Sequence, residues 1–126
     1  MIRLEKINKA FQGKVLFQNY DLKIEDGSFT FITGKSGCGK TTLLNMIGGI
    51  EQPDSGAIWV NGLDITKIRN KKRYYRDTVG FLFQNFALLE NKNVYQNMVL
   101  IQKKGRSGIA VQEALAHVHM SGMEKR

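Results

Sequence analysis

The sequence of 126 residues contains one cysteine, one proline and one tryptophan. With Cys38 alone, an internal disulfide is impossible. No apolar run approaches the ~20 residues that a membrane-spanning helix requires. Nor does the N-terminus show the basic, apolar and small-residue succession of a secretory signal. The expectation is a cytoplasmic chain that reaches a membrane only through a partner. Internal repeats and low-complexity tracts are absent. Acidic residues are also few, 11 against 19 Lys and Arg, which leaves a formal charge of +8. Such a balance permits nucleic acid, an acidic membrane surface or phosphate ligands. Much of it lies in Lys67, Arg69, Lys71, Lys72, Arg73 and Arg76. This cluster carries Tyr74 and Tyr75 but no recognisable nucleic-acid module, so it reads as a solvated helix or loop and no nucleic-acid partner is expected.

Glycine, by contrast, is plentiful at 13 residues. Gly34-Lys35-Ser36-Gly37-Cys38-Gly39-Lys40-Thr41 is a complete G-x-x-x-x-G-K-[ST] phosphate-binding loop. An apolar run, Ser28 to Thr33, leads into it, and Thr41 to Ile47 leads out, which is the strand–loop–helix setting the motif requires. Glycines let backbone N–H groups approach a phosphate closely, and the helix N-terminus adds the positive end of its dipole. Lys40 is placed to reach the β- and γ-phosphates, and the Thr41 hydroxyl to ligate Mg²⁺. Thr42 adds a hydroxyl near the α-phosphate. Cys38 stands beside a helix N-terminus and two lysines, a setting open to reaction with thiol reagents, although the plainer reading is a loop position that accepts any small residue.

The length suits one domain with a modest core. Ile2, Leu4 and Ile7 open a first strand; Val15 to Phe17 and Tyr20, Leu22 and Ile24 form a second, ended by a turn at Asp26-Gly27. The helix after the loop stops at Gly48-Gly49. Gln52 to Gly56 reads as a turn, Ala57 to Val60 as a strand, and Asn61-Gly62 as a hairpin turn before Leu63 to Ile65. Thr78 to Phe83 has the composition of a buried strand. Asn93 to Lys103 and Gly108 to His119 carry apolar residues at helical spacing, such as Val94, Met98 and Ile101, then Val111, Leu115 and Val118.

Three further segments resemble the ATP-binding subunit of an ABC transporter. Ile2 to Ile24, with Phe11-Gln12-Gly13, is similar to the antiparallel pair that opens that fold. Gly49 to Gly56 followed by Ile58 to Gly62 looks like its turn and hairpin. Val79 to Leu89 resembles the segment around its Q-loop. The resemblance runs from Met1 to about Met98 and more loosely to Arg126. It implies an α/β P-loop NTPase fold of the ABC type with an N-terminal antiparallel β-subdomain. It also implies ATP and Mg²⁺ as ligands, a transmembrane permease subunit and a second ATP-binding subunit as partners, and a place on the cytoplasmic face of the membrane. In that scheme Phe11 stacks on adenine, for which only a π-face is needed. Gly34, Lys35, Ser36, Gly37, Cys38, Gly39, Lys40, Thr41 and Thr42 hold the phosphates. Gln84 matches the Q-loop glutamine that touches Mg²⁺ and the attacking water, and Asn85 to Val94 lie near the surface that docks the membrane subunit. Leu88-Leu89 and the short N-terminus are similar to the exporter branch handling lipoproteins, macrolides or bacteriocin-like peptides.

The sequence departs from the family in lacking the second acidic strand with its Asp-Glu pair, an LSGGQ-type signature and a switch histidine. His117 and His119, its only histidines, match no catalytic position. The chain therefore resembles the N-terminal portion of such a subunit, expected to bind ATP and to hydrolyse it poorly or not at all. The missing strand would leave a strand edge and apolar surface exposed. A non-catalytic nucleotide-binding or regulatory fragment remains an alternative. So does a small P-loop kinase, against which stand the Q-loop and hairpin resemblances and the lack of an Asp placed to activate an acceptor.

Overall fold

Residues Ile2–Phe11 (β1) and Lys14–Ile24 (β2) form a long antiparallel hairpin in the computed structural model, which describes residues 1–85, 87–104 and 108–126, the Lys104 side chain excepted. Contacts divide the chain into two units, Met1–Lys71 and Lys72–Arg126. In the first, Ser55–Val60 (β3) and Leu63–Asp64 (β4) complete a four-stranded antiparallel sheet in the order β2-β1-β3-β4. Asn61-Gly62 makes the β3–β4 turn that the sequence announces.

The core residues of β1 break the two-residue alternation: Leu4, Ile7 and Lys9 are buried. Lys6 has φ 49°, and the register shifts between Leu4 and Ile7, so a bulge turns the later residues back to the inner face. Leu4 stands opposite Ile58, and both are almost completely buried. Helix α1, Lys40–Ile47, adds Leu43 and Met46 to this core, three residues apart and hence on one helical face. It ends as expected, with Gly48 and Gly49 donating to the carbonyls of Leu44 and Met46.

Ion pairs from the buried Lys9 to water-accessible carboxylates fasten the turn after α1 to the sheet. The Nζ of Lys9 donates to Glu51 Oε1 at 2.6 Å and to the Gln52 carbonyl at 2.8 Å. Asp54 lies 3.6 Å away and accepts from the Ala10 amide at 2.7 Å. The bond to Glu51 holds the Lys9 ammonium above its ordinary pKa; burial works the other way, and the charges of Glu51 and Asp54 reinforce the rise. The stabilisation is therefore complete below the unfolded value of ~10.4 and is lost as pH climbs through the raised one. Lys9→Met should cost about 1–2 kcal/mol at pH 7, a figure reduced because Glu51 and Asp54 remain accessible to water. The substitution should also flatten the alkaline limb of the stability–pH curve. Urea titrations at pH 7 and above pH 10 test this, and an unchanged alkaline limb would exclude the pair as its cause.

Among the described residues, two expected strands, the second of them expected to be buried, are not built. Ser28 to Thr33 forms no ladder among the described residues. Phe29 and Phe31 are 86% and 79% exposed, and their rings meet edge to face at 5.0 Å. Thr78 to Phe83 likewise joins no sheet. Its first amides, Thr78 and Val79, donate to the Tyr74 carbonyl and so finish a helix, while the Phe81 and Phe83 rings stack at 5.3 Å. An apolar composition makes a segment eligible for a sheet, but only a paired neighbour turns it into a strand.

The second unit is helical. It holds α2 (Lys72–Asp77), which takes in part of the basic cluster, α3 (Val94–Lys104) and α4 (Val111–His117). Asn93 caps α3 by accepting from the Gln96 amide at 2.9 Å, and Gln96 Oε1 accepts from the Asn93 amide at 3.2 Å. Asn97 ties the preceding loop to α3 through both the amide and the carbonyl of Leu89. Phe86, within the Q-loop resemblance, lies outside the described residues.

Candidate functional site

The phosphate-binding loop occupies the interval between Thr33 and α1, and Gly39 is the residue that lets it meet the sheet. Gly39 caps α1 with φ 101°. A Cβ there would lie 3.0 Å from the Phe17 ring and 3.5 Å from Leu16 Cβ. Thus glycine meets two demands at once, a left-handed backbone and close approach to β2. Behind it, Leu43 donates its amide to the Gly39 carbonyl at 2.8 Å, starting the helix, and Cys38 donates to the Lys35 carbonyl at 3.2 Å.

Lys40 folds back over the loop. Its Nζ donates to the Gly34 carbonyl at 2.8 Å and to the Lys35 carbonyl at 2.9 Å, with Cys38 Sγ 3.8 Å away. The ammonium is thus held against the loop by two backbone carbonyls. Beside it is a cavity of about 580 Å³ lined by Phe11, Gln12, Lys14 and Leu16 of the hairpin, and by Ser36, Gly37, Gly39, Lys40, Thr41 and Thr42 of the loop and helix. Phe11 is 57% exposed at the end of β1, so it is an available ring face and not a buried strand aromatic. The volume falls within the range typical of small-molecule sites.

The structure thus brings Phe11 together with Ser36, Gly37, Gly39, Lys40, Thr41 and Thr42 around one cavity. Gly34, Lys35 and Cys38 complete the loop from outside that lining. Gln84 belongs to the second unit, in an exposed turn beside Asn85, whose Oδ1 accepts from the Ala87 amide. The sequence reading missed Lys14. A two-residue turn at Gln12-Gly13 places Lys14 directly across from Phe11, a signal present in the hairpin spacing.

Mg²⁺ is a hard cation that takes oxygen ligands. Ser36, Thr41 and Thr42 offer hydroxyl oxygens at the cavity, which fits such an ion when phosphate oxygens complete its shell. Among the described residues no cluster of His, Cys, Asp or Glu could hold a metal by itself.

The family profile described as ABC transporter matches residues 17–126. The chain belongs to the ABC transporter family. It is 40% identical to the spermidine/putrescine import ATP-binding protein PotA of Acetivibrio thermocellus, over all of this chain and 36% of that protein. It is also 40% identical to the cell division ATP-binding protein FtsE of Escherichia coli K12, over 79% of this chain and 46% of that one. A dimeric ATP-binding cassette, solved in a post-hydrolysis state bound to ADP and phosphate, superposes with a TM-score of 0.83 at 26% identity, covering all of this chain and 61% of that one. The chain therefore has the α/β fold of an ABC-type cassette, and spans a third to a half of the length of the curated relatives it matches. These relatives are named for polyamine import and cell division, so they correct the exporter branch suggested by Leu88-Leu89.

Cys38 Sγ lies where a Cβ on Gly34 would fall, 2.6 Å away, so a group added to the sulfur would crowd the loop and Lys40. Cys38 is exposed. Alkylation with N-ethylmaleimide should therefore abolish binding of a fluorescent ATP analogue, and excess ATP should slow the reaction. Full alkylation, verified by mass, with binding unchanged would refute this.

Proposed function

We propose that this chain is the nucleotide-gripping part of the ATP-binding subunit of an ABC transporter. The carrying observation is the cavity that joins the exposed Phe11 ring to the phosphate loop within the first unit. Adenine stacks on Phe11; loop amides from Gly34 to Gly39 and the Lys40 ammonium bind the phosphates. Thr41 would hold Mg²⁺ and Thr42 would reach the α-phosphate; for Gln84, in the second unit, the reading keeps the role of the Q-loop glutamine that its flanking sequence resembles. Mg²⁺, when bound, neutralises charge on the phosphates. The whole protein couples ATP binding and hydrolysis to transport through a membrane permease subunit and a second ATP-binding subunit, on the cytoplasmic face. No helix of the described residues is long and apolar enough to cross a membrane.

The sequence holds no Asp-Glu pair after an apolar run and no Ser-Gly-Gly. Phosphoryl transfer relies on charge positioned around the metal and the nucleophilic water, so the 126 residues should bind ATP and turn it over negligibly. Titration of a fluorescent ATP analogue with and without Mg²⁺ should give saturable binding strengthened by the ion. Lack of saturable binding would overturn the reading. Phosphate release that disappears in Lys40→Ala would overturn the claim of negligible turnover.

A further inference from the structure

We infer that Lys14 is a second phosphate-binding lysine of this site, supplied by the β1–β2 hairpin and acting on the charge of the polyphosphate chain. This rests on the nucleotide-binding role proposed above and names a residue outside the loop motif. Lys14 opens β2 directly opposite Phe11, and residues paired across a ladder share one face of the sheet. Both line the cavity. The Lys14 Nζ donates to the Gly37 carbonyl at 3.0 Å, which places an ammonium against the crown of the phosphate loop. A Cβ on Gly37 would come within 3.9 Å of that nitrogen.

The charge around the cavity points the same way. Its lining contains two lysines and no carboxylate. Neither Lys14 nor Lys40 takes part in a salt bridge among the described residues, whereas Lys9, Lys23 and Lys67 each do. Two unneutralised ammoniums facing one loop make an anion site, and their mutual repulsion falls when a polyanion enters. Lys40 has two carbonyl acceptors and Lys14 has one, which leaves two of the three Lys14 N–H groups for phosphate oxygens. One residue across the turn, Phe11, would hold the base while its partner holds the chain of phosphates. Discrimination by Lys14 therefore scales with ligand charge and not with the base.

The test uses the full chain, with ATP, ADP and AMP competing against a fluorescent ATP analogue. Lys14→Gln retains a donor for the Gly37 carbonyl and removes the charge; Lys14→Arg retains the charge. Lys14→Gln should weaken ATP about tenfold, ADP less and AMP least, and should make ATP binding less sensitive to salt. Lys14→Arg should restore most of the affinity. Equal losses for all three nucleotides would mean that Lys14 merely shapes the loop, and an unchanged ATP affinity would mean that it plays no part; either overturns the inference. Lys40→Ala, measured alongside, separates the two levels. If it removes binding while Lys14→Gln does not, only the role of Lys14 fails; if it too leaves binding intact, the nucleotide site itself is wrong.

Discussion

Lys40→Ala should lower affinity for ATP by about tenfold to a hundredfold, the range expected when a charge-assisted hydrogen bond to a phosphate is lost. In the structure the Lys40 ammonium is held by the Gly34 and Lys35 carbonyls at 2.8 and 2.9 Å. On the proposed reading, ATP would exchange those neutral acceptors for anionic ones. The variant also frees two carbonyls at the mouth of the loop, which raises the entropy that binding must remove. Fold stability should change by less than about 1 kcal/mol, since Lys40 is not in the core. Titration of a fluorescent ATP analogue checks the first statement and urea unfolding the second. Affinity within twofold of the parent would contradict the assignment of the cavity.

Gly56→Ala should produce the largest stability loss, about 3 kcal/mol or more, enough to unfold a marginal domain. Gly56 lies in β3 with φ +99°, a conformation that L side chains rarely adopt. A Cβ there would meet the carbonyl oxygens of Glu5 and Lys6 at 2.6 Å each, and these are backbone atoms of β1 that no rotamer change can relieve. The clash falls at the bulge where the β1–β3 register shifts between Glu5 and Asn8, so the substitution attacks the centre of the sheet. Gly62→Ala is the matched control. Its φ is also positive, +80°, but open space surrounds it, and about 1 kcal/mol is expected. Trp59, the sole tryptophan, provides the readout: its indole N–H donates to Glu5 Oε2 at 3.0 Å across the same ladder. Equal losses in the two variants would show that backbone conformation alone, without the β1 contact, sets the cost.

Asp64 adds an acid-side dependence. Burial pushes its carboxyl up, but hydrogen bonds from Thr66 and Lys67 outweigh that and leave it below the ordinary value. Its contribution is present above ~3.9 and disappears as pH falls through the lowered value. Together with Lys9, it places the broadest stability of the first unit between the two limbs.

Local chemistry was legible and distant chemistry was not. The loop from Gly34 to Thr41, the glycine stop of α1 and the Asn61-Gly62 turn depend on neighbours in sequence, so their residues declare them. The Lys9–Glu51 pair, separated by 42 positions, and the Gly56 contact with β1 depend on which strands meet. Gly56 reads as the end of a turn, and only the bulge opposite gives it a further reason to be glycine. Ser28 to Thr33 and Thr78 to Phe83 show the converse failure. Hydrophobicity marks them for burial, yet burial is a property of pairs, and a strand's partner is not written in its own composition. At the site, Phe11 and the loop were found separately; the register that brings Lys14 beside them required the hairpin.

The contact of Gly39 with Phe17 and Leu16 works as a gauge. Because the loop bears directly on the strand that turns back from Phe11, the span between the Phe11 ring and the loop is set by covalent geometry and van der Waals radii. A ligand is thereby measured for length as well as for charge. On the proposed reading, a nucleoside triphosphate would reach both ends, while inorganic pyrophosphate or a bare nucleoside would engage one end and forfeit the other.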